Sequence, residues 1–336
     1  MTIPITLIPG DGIGPEIVSA TVRVLEATGL PLAWHEAVAG ASALAALGEV
    51  LPEATLEAIR RTGVALKGPL STPVGGGYRS ANVALRQALD LYANVRPVRS
   101  RVVADLPSRY ADIDLVVVRE NTEGMYSGIE HMVAPGVAES LKIVTERAST
   151  RIARYAFALA QARPKQHVTA VHKANIMKVT DGLFLDCVRN VAAEHPEVAY
   201  DESIVDAMSM HLVLHPQRYD VLVMGNLYGD ILSDLAAGLI GGLGLAPSGN
   251  YGTEAAVFEA VHGTANDIAG KGLANPTALV LAGALMLAYL GHAAEAAAVD
   301  RAVDRVLAGP TRTPDLGGTA STEAFTDALV AAVRSA

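Results

Sequence analysis

Apolar residues fall along this chain in short β-rich runs separated by stretches of helical period. Residues 3–8 read as a strand, and an amphipathic helix follows Pro15 and Glu16 to about Ala27. Leu32–Ala37 is strand-like, Pro52–Thr62 helical and Val64–Leu66 a short buried strand. Ser80–Leu91 has helical period, and Leu115–Val118 is another unbroken apolar run of strand length. The stretch Ala138–Leu159 reads as a hydrophobic run continuing into one long helix. Val168–Val171, Asp181–Glu194, Tyr219–Met224 and Leu235–Ile240 repeat strand and helix, and from Pro276 the chain is mainly helical and alanine-rich. Such alternation predicts a largely parallel α/β sheet with covered faces.

Composition narrows the class. The 336 residues suffice for about two domains. A formal charge of −9 argues against a nucleic-acid or anionic-membrane surface, while leaving room for a local cationic pocket. The single cysteine, Cys187, cannot close an intrachain disulfide and reads as a small buried hydrophobe. The longest apolar run, from Ala278 to Gly291, falls short of the ~20 residues that span a bilayer. The opening residues resemble neither a signal peptide nor an Arg/Ser-rich presequence, so a cytoplasmic protein is expected.

Candidate chemistry gathers at the ends of the apolar runs. Asp230 and Asp234 lie four apart in NLYGDILSD (226–234), at the start of a helix that follows the Tyr219–Met224 strand. At that spacing their carboxylates share one helix face. They suit a hard divalent cation such as Mg²⁺, or are two solvated aspartates at a helix start. Ser80, Asn82 and Arg86 follow a glycine-rich segment and offer a hydroxyl, an amide and a guanidinium to a carboxylate. Arg96 and Arg119 add two further forks, each of which alone reads as well as a surface ion pair. Tyr126 beside glycines is a general acid or a packed aromatic. Lys173 follows an apolar strand, where partial burial would lower its pKa, and Asp206 is a further strand-end carboxylate. The loop from His262 to Asn275 is rich in glycine and small polar residues, and its backbone amides with His262 suit a diphosphate and adenine. By contrast, Gly10, Gly12 and Gly14 in IPGDGIGPE (8–16) fail the GxGxxG spacing of a dinucleotide fingerprint, and a tight strand-to-helix turn explains them equally well.

Taken together, IPGDGIGPE, RENTEG (119–124), VHKANIMK (171–178), NLYGDILSD, HGTANDIAG (262–270) and NPTAL (275–279) resemble the β-decarboxylating dehydrogenases. These enzymes act on isocitrate, homoisocitrate, 3-isopropylmalate or tartrate. The resemblance covers most of the chain in order. It implies an α/β, two-domain isocitrate/isopropylmalate dehydrogenase-like fold with a mixed, largely parallel sheet and covered faces, not a Rossmann fold. Residues 1–97 with 242–336 would form a large cofactor domain. Residues 98–241 would form a small domain with the substrate and metal site and a dimerisation arm at about 125–165.

The same resemblance assigns roles. Asp230 and Asp234, with Asp206 from the other subunit of a homodimer, would bind Mg²⁺ or Mn²⁺. Arg86, Arg96 and Arg119 would grip substrate carboxylates, with Ser80, Asn82 and Asn175 also contacting substrate. Tyr126, and Lys173 from the partner, would move protons. Leu70 and Thr72 would lie near the nicotinamide; His262, Gly263, Thr264, Ala265, Asp267, Ile268 and Asn275 would surround the rest of the cofactor. Ser80 and Asn82 match the isocitrate pattern, since they can hydrogen-bond a distal carboxylate. The pair Asp267-Ile268 favours NAD, because a carboxylate accepts from ribose hydroxyls and repels a 2′-phosphate. The expected reaction is oxidative decarboxylation of isocitrate with NAD. The other three acids are the alternatives within the family, and a non-catalytic regulatory subunit is the alternative outside catalysis.

Overall fold

The computed structural model describes residues 2–71, 80–104 and 110–335. Its first half runs β1 (Ile3–Ile8), α1 (Gly14–Glu26), β2 (Leu32–Glu36), α2 (Ala41–Leu47), α3 (Glu53–Thr62), β3 (Val64–Lys67), α4 (Ala81–Ala88), β4 (Ala93–Arg99) and β5 (Asp114–Glu120). A hairpin follows, β6 (Gly124–Ala134) and β7 (Val137–Ile143), and then α5 (Glu146–Gln161). The chain continues through β8 (His167–His172), α6 (Thr180–Glu194), β9 (Ala199–Ile204), α7 (Val205–Leu214), β10 (Val221–Met224) and α8 (Asn226–Leu239). It closes with β11 (Pro247–Tyr251), β12 (Ala256–Ala260), α9 (Thr277–Tyr289), α10 (Ala293–Leu307) and α11 (Thr322–Arg334).

One ten-stranded sheet has the order β2-β1-β3-β12-β11-β4-β5-β10-β8-β9. The pairings β12–β11, β11–β4 and β4–β5 are antiparallel, and all others in that sheet are parallel. The largely parallel sheet predicted from the alternation is therefore present, with the mixed strand directions that the resemblance implied. Central strands such as β3 and β10 are buried along their whole length because helices cover both faces. The apolar stretch near residue 280 is α9, buried along most of its length beneath α1, α10 and the sheet. Among the described residues no helix is long and apolar enough to cross a membrane.

One sequence expectation is corrected. Ala138–Leu159 is not a run leading into one helix: its first part is β7, paired antiparallel with β6 in a separate two-stranded sheet. Thr145 ends the extended segment and caps α5, its Oγ1 accepting from the Ala148 amide at 3.1 Å. The hairpin is exposed on both faces over most of its length, so no core contact imprints a period on its sequence.

Candidate active site

The predicted site residues converge where the antiparallel centre of the sheet meets its parallel flank, the kind of switch in strand direction at which open α/β sheets form clefts. Arg96 points from β4, Arg119 from β5, and both meet the first turns of α8. Gly229 makes this possible: a Cβ there would lie 2.5 Å from Arg119 Cβ and Cγ, so only glycine lets α8 ride over the arginine stem.

Both arginines of the cluster have several partners. Arg119 is 1% exposed; its Nε donates to Asn226 Oδ1 at 2.9 Å and its Nη1 to Asp230 Oδ1. The Tyr126 hydroxyl donates to Asp230 Oδ2, and the Arg119 guanidinium lies 5.1 Å from the Tyr126 ring centre. Arg96 donates from Nε to Asn94 Oδ1 at 2.8 Å and from Nη1 to Ser233 Oγ at 2.6 Å and Asp234 Oδ1 at 3.3 Å. Asp230 and Asp234 thus share one helix face, as the spacing predicts. Both are half open to solvent, and both offer the hard oxygen donors a divalent cation takes.

Electrostatics splits the two carboxylates. Burial acts to raise Asp230, but the Arg119 guanidinium, the Tyr126 hydroxyl and Arg96 hold it below the usual carboxylate range. Asp234 is raised by burial, and its single arginine contact is opposed by the neighbouring Asp230 charge. Burial and the Asp230 hydrogen bond raise Tyr126. Burial and then the Arg86 and Arg96 charges lower Arg119 to about 10, which still leaves it cationic at neutral pH. The cluster thus pairs guanidinium forks, which suit carboxylates, with carboxylate oxygens, which suit a cation.

Several residues behind this cluster were not foreseen. Arg86 on α4 donates to Glu259 Oε1 at 3.0 Å, and Lys67 Nζ lies 2.7 Å from Glu259 Oε2. Burial acts to raise Glu259, yet Lys67 and Arg86 hold it well below the usual carboxylate range. Asn250 donates to Glu259 Oε1 at 2.8 Å and accepts from Asn94 at 2.8 Å. A continuous buried chain therefore links Arg86 to Arg96 across β12, β11 and β4. The visible signal was a charge inside an apolar strand, Lys67 in VALK and Glu259 in AVFEA. Asn94, Asn226 and Ser233 had no comparable signal.

Other predicted residues lie elsewhere. Ser80 and Asn82 sit at the start of α4, and Asn82 Oδ1 is buried without a hydrogen-bond partner among the described residues. Lys173 directly follows β8 and pairs with Asp206, whose side chain is 68% exposed. Lys173 is thus held beside a carboxylate, not in the apolar surroundings its preceding strand suggested. Asn175 is exposed on the turn that follows. Among the described residues of one chain, no three His, Cys, Asp or Glu side chains stand together to hold a metal ion, so Asp206 does not join Asp230 and Asp234.

On the cofactor side, Leu70 is buried, and Thr72 lies outside the described residues. His262 Nδ1 contacts the Gly263 carbonyl at 3.0 Å, leaving a buried Nε2 without a partner among the described residues. Burial lowers the His262 pKa, so the ring is neutral and Nε2 is an acceptor. Gly263, Ala265 and Asp267 are exposed and Thr264 and Ile268 half-buried along the same loop. Asn275 is used internally, donating to Asp315 Oδ2 at 2.9 Å and accepting from the Thr277 amide at 3.0 Å.

Known proteins share this plan. The NAD isocitrate dehydrogenase catalytic subunit 5 of Arabidopsis thaliana mitochondria is 52% identical over 98% of this chain and 88% of its own. The isocitrate/homoisocitrate dehydrogenase of Thermus thermophilus is 52% identical over the full length of both chains. The crystal structure of isocitrate dehydrogenase from Methylococcus capsulatus superposes with a TM-score of 0.95 at 54% identity, covering 98% of this chain and 99% of that one. A family model described as isocitrate/isopropylmalate dehydrogenase matches residues 4–330. The chain is a dehydrogenase and belongs to the isocitrate/isopropylmalate dehydrogenase family.

Proposed function

We propose that this protein catalyses the oxidative decarboxylation of isocitrate to 2-oxoglutarate and CO₂, using NAD and Mg²⁺ or Mn²⁺, as a homodimer with shared active sites. The observation that carries this reading is the convergence of Asp230 and Asp234 with Arg96, Arg119 and Tyr126. Two carboxylates suit a cation, and the guanidinium forks of Arg96 and Arg119 suit an anionic substrate with several carboxylates.

When bound, a divalent cation supplies Lewis-acid polarisation of the substrate's hydroxyl oxygen, and the nicotinamide accepts the hydride. Arg86, Arg96 and Arg119 hold the substrate carboxylates, with Ser80 and Asn82 at the distal one. Lys173 of the partner takes the hydroxyl proton, directly or through water. Tyr126 delivers a proton to the carbon that loses CO₂; burial and Asp230, by raising its pKa, keep it protonated at neutral pH. In the chain alone, Asp230 is satisfied by Arg119 and Tyr126. Were Asp230 to hold a cation, Arg119 and Tyr126 would be free to turn to the substrate.

Dimer formation is supported by what one chain leaves unfinished. Lys173 and Asp206 are away from the cluster, while Met210, Val213 and Leu214 on α7 and Leu227 and Ile231 on α8 are exposed. A second copy covering that face would bring Lys173 and Asp206 to the partner's cluster. Homoisocitrate is the second reading, favoured by the name of the Thermus relative.

The test compares kcat/KM for isocitrate, homoisocitrate, isopropylmalate and tartrate, each with NAD and NADP. Isocitrate with NAD should be fastest. Faster isopropylmalate turnover refutes the substrate, preference for NADP refutes the cofactor, and silence of the purified chain with Mg²⁺, NAD and isocitrate favours a regulatory subunit.

A further inference from the structure

The turn IPGDGIGPE fails as a dinucleotide fingerprint and has no place in the mechanism above, yet Asp11 within it is nearly buried. β1, β3 and β12 are adjacent and parallel, and the register aligns Ile8, Lys67 and Glu259 near their C-terminal ends. The loops that leave these three strands therefore emerge along one edge. They are the Asp11 turn, the segment carrying Leu70, and the loop carrying His262 to Ile268.

The Asp11 turn binds to both of the others. Asp11 Oδ2 accepts from the Ser71 amide at 2.7 Å and the Ala41 amide at 2.9 Å, and Oδ1 accepts from the Ser42 amide at 3.0 Å. The Asp11 amide donates to the Pro69 carbonyl at 2.8 Å, and the Ile13 amide to the Thr264 carbonyl at 2.9 Å. Gly12 has φ +60°, and a Cβ there would lie 2.1 Å from the Thr264 carbonyl oxygen, so the turn is pressed against that loop. An ionised carboxylate only accepts, which suits a group facing three N–H donors.

We propose that Asp11 is a positioning residue for the nicotinamide cofactor, clamping the Leu70 segment and, through its turn, the Thr264 loop at one fixed separation. The proposal rests on the cofactor reading above. Both oxygens accept from backbone amides, so Asp11 acts through the segments it holds. Replacing it with asparagine turns one acceptor into a donor facing amide N–H groups, and the clamp loosens on at least one side.

The experiment is a fluorescence titration of NADH and of NADPH into the parent dimer and Asp11→Asn, with calorimetric titration of isocitrate plus Mg²⁺ and thermal melting of both proteins. Affinity for the nucleotide the parent prefers should fall at least about tenfold, with KM for that cofactor rising in parallel. Isocitrate affinity should stay within about twofold. A merely structural aspartate would lower the melting temperature and weaken both ligands together, or neither; either pattern overturns the proposal. If Asp11→Asn does not fold, Asp11→Ser, which also removes the charge, carries the same test. A parent that binds neither nucleotide sinks the dehydrogenase reading and the clamp with it, whereas a parent that binds one and an asparagine variant that binds it equally sinks the clamp alone.

Discussion

Around Asp230 the arginines have several partners: Arg119 also holds Asn226, Arg96 also holds Asn94 and Ser233, and Glu259 braces Arg86 from behind. Asp206 is exposed and pairs with the side chain of Lys173. The first region is preorganised by its own chain, so its groups face a ligand in fixed geometry with little ordering left to do. The second is held mainly at its root, where the Lys173 amide donates to buried Asp181 at 2.7 Å. The contrast is that of a preorganised cluster and an exposed pair, which the proposed dimer would bring to a second copy.

The strongest way to break that contrast is complementation. Tyr126→Phe and Lys173→Met should each lose about 10²- to 10⁴-fold in kcat. Mixed under subunit exchange, half the dimers are heterodimers with one of two sites intact, so activity should return to about a quarter of the parent. No recovery would mean that both residues act within one chain.

Next in size is the brace. Glu259→Gln leaves Lys67 and Arg86 buried without their carboxylate and should cost about 3–5 kcal/mol in urea denaturation. The folded-state pKa of Glu259 is depressed, so its stabilisation is present above the unfolded value of roughly 4.3 and is lost as pH falls towards the folded one. The gap between parent and variant should be full at pH 7 and narrow below about pH 4. A pH-independent gap would remove the charge from the explanation.

A smaller effect concerns the cofactor loop. Asp267→Lys combined with Ile268→Tyr should shift the NAD-to-NADP ratio of kcat/KM by about tenfold or more towards NADP. An unchanged ratio would show that these exposed side chains do not read the ribose. Smallest of all, Asp206→Asn should leave the melting temperature of the chain unchanged, because an exposed ion pair adds little. A clear drop would mean that the Lys173–Asp206 pair is structural, not held in reserve for the partner.

Much of this was legible in the chain. Long apolar runs alternating with helical period gave β1, α1, β3, β5, β8, α6 and β10, because burial on both faces leaves an unbroken signal. The β6–β7 hairpin was missed because it buries no face. Its clues were only local: Pro135-Gly136 at the turn, with Gly136 at φ +77°, and Thr145 at the cap of α5. In the site, the arginines and aspartates were found from their places at strand and helix ends. Asn94, Asn226 and Ser233 were not, since small polar residues look alike until a partner is opposite them.

What the sequence determined by itself was the periodicity: which runs are strands, which glycines sit at turns, and that Asp230 and Asp234 share a face one helical turn apart. Tertiary structure decided who meets whom. Arg86 and Glu259 are 173 residues apart and Arg119 and Asp230 are 111 apart, and neither pair follows from any local pattern. Such contacts depend on the order and direction of strands, which are selected by the total burial of the sheet rather than by either partner. The same physics leaves Lys173 and Asp206 outside the cluster: Lys173 leaves β8, two strands along from β5, and its amine is paired with Asp206 on α7.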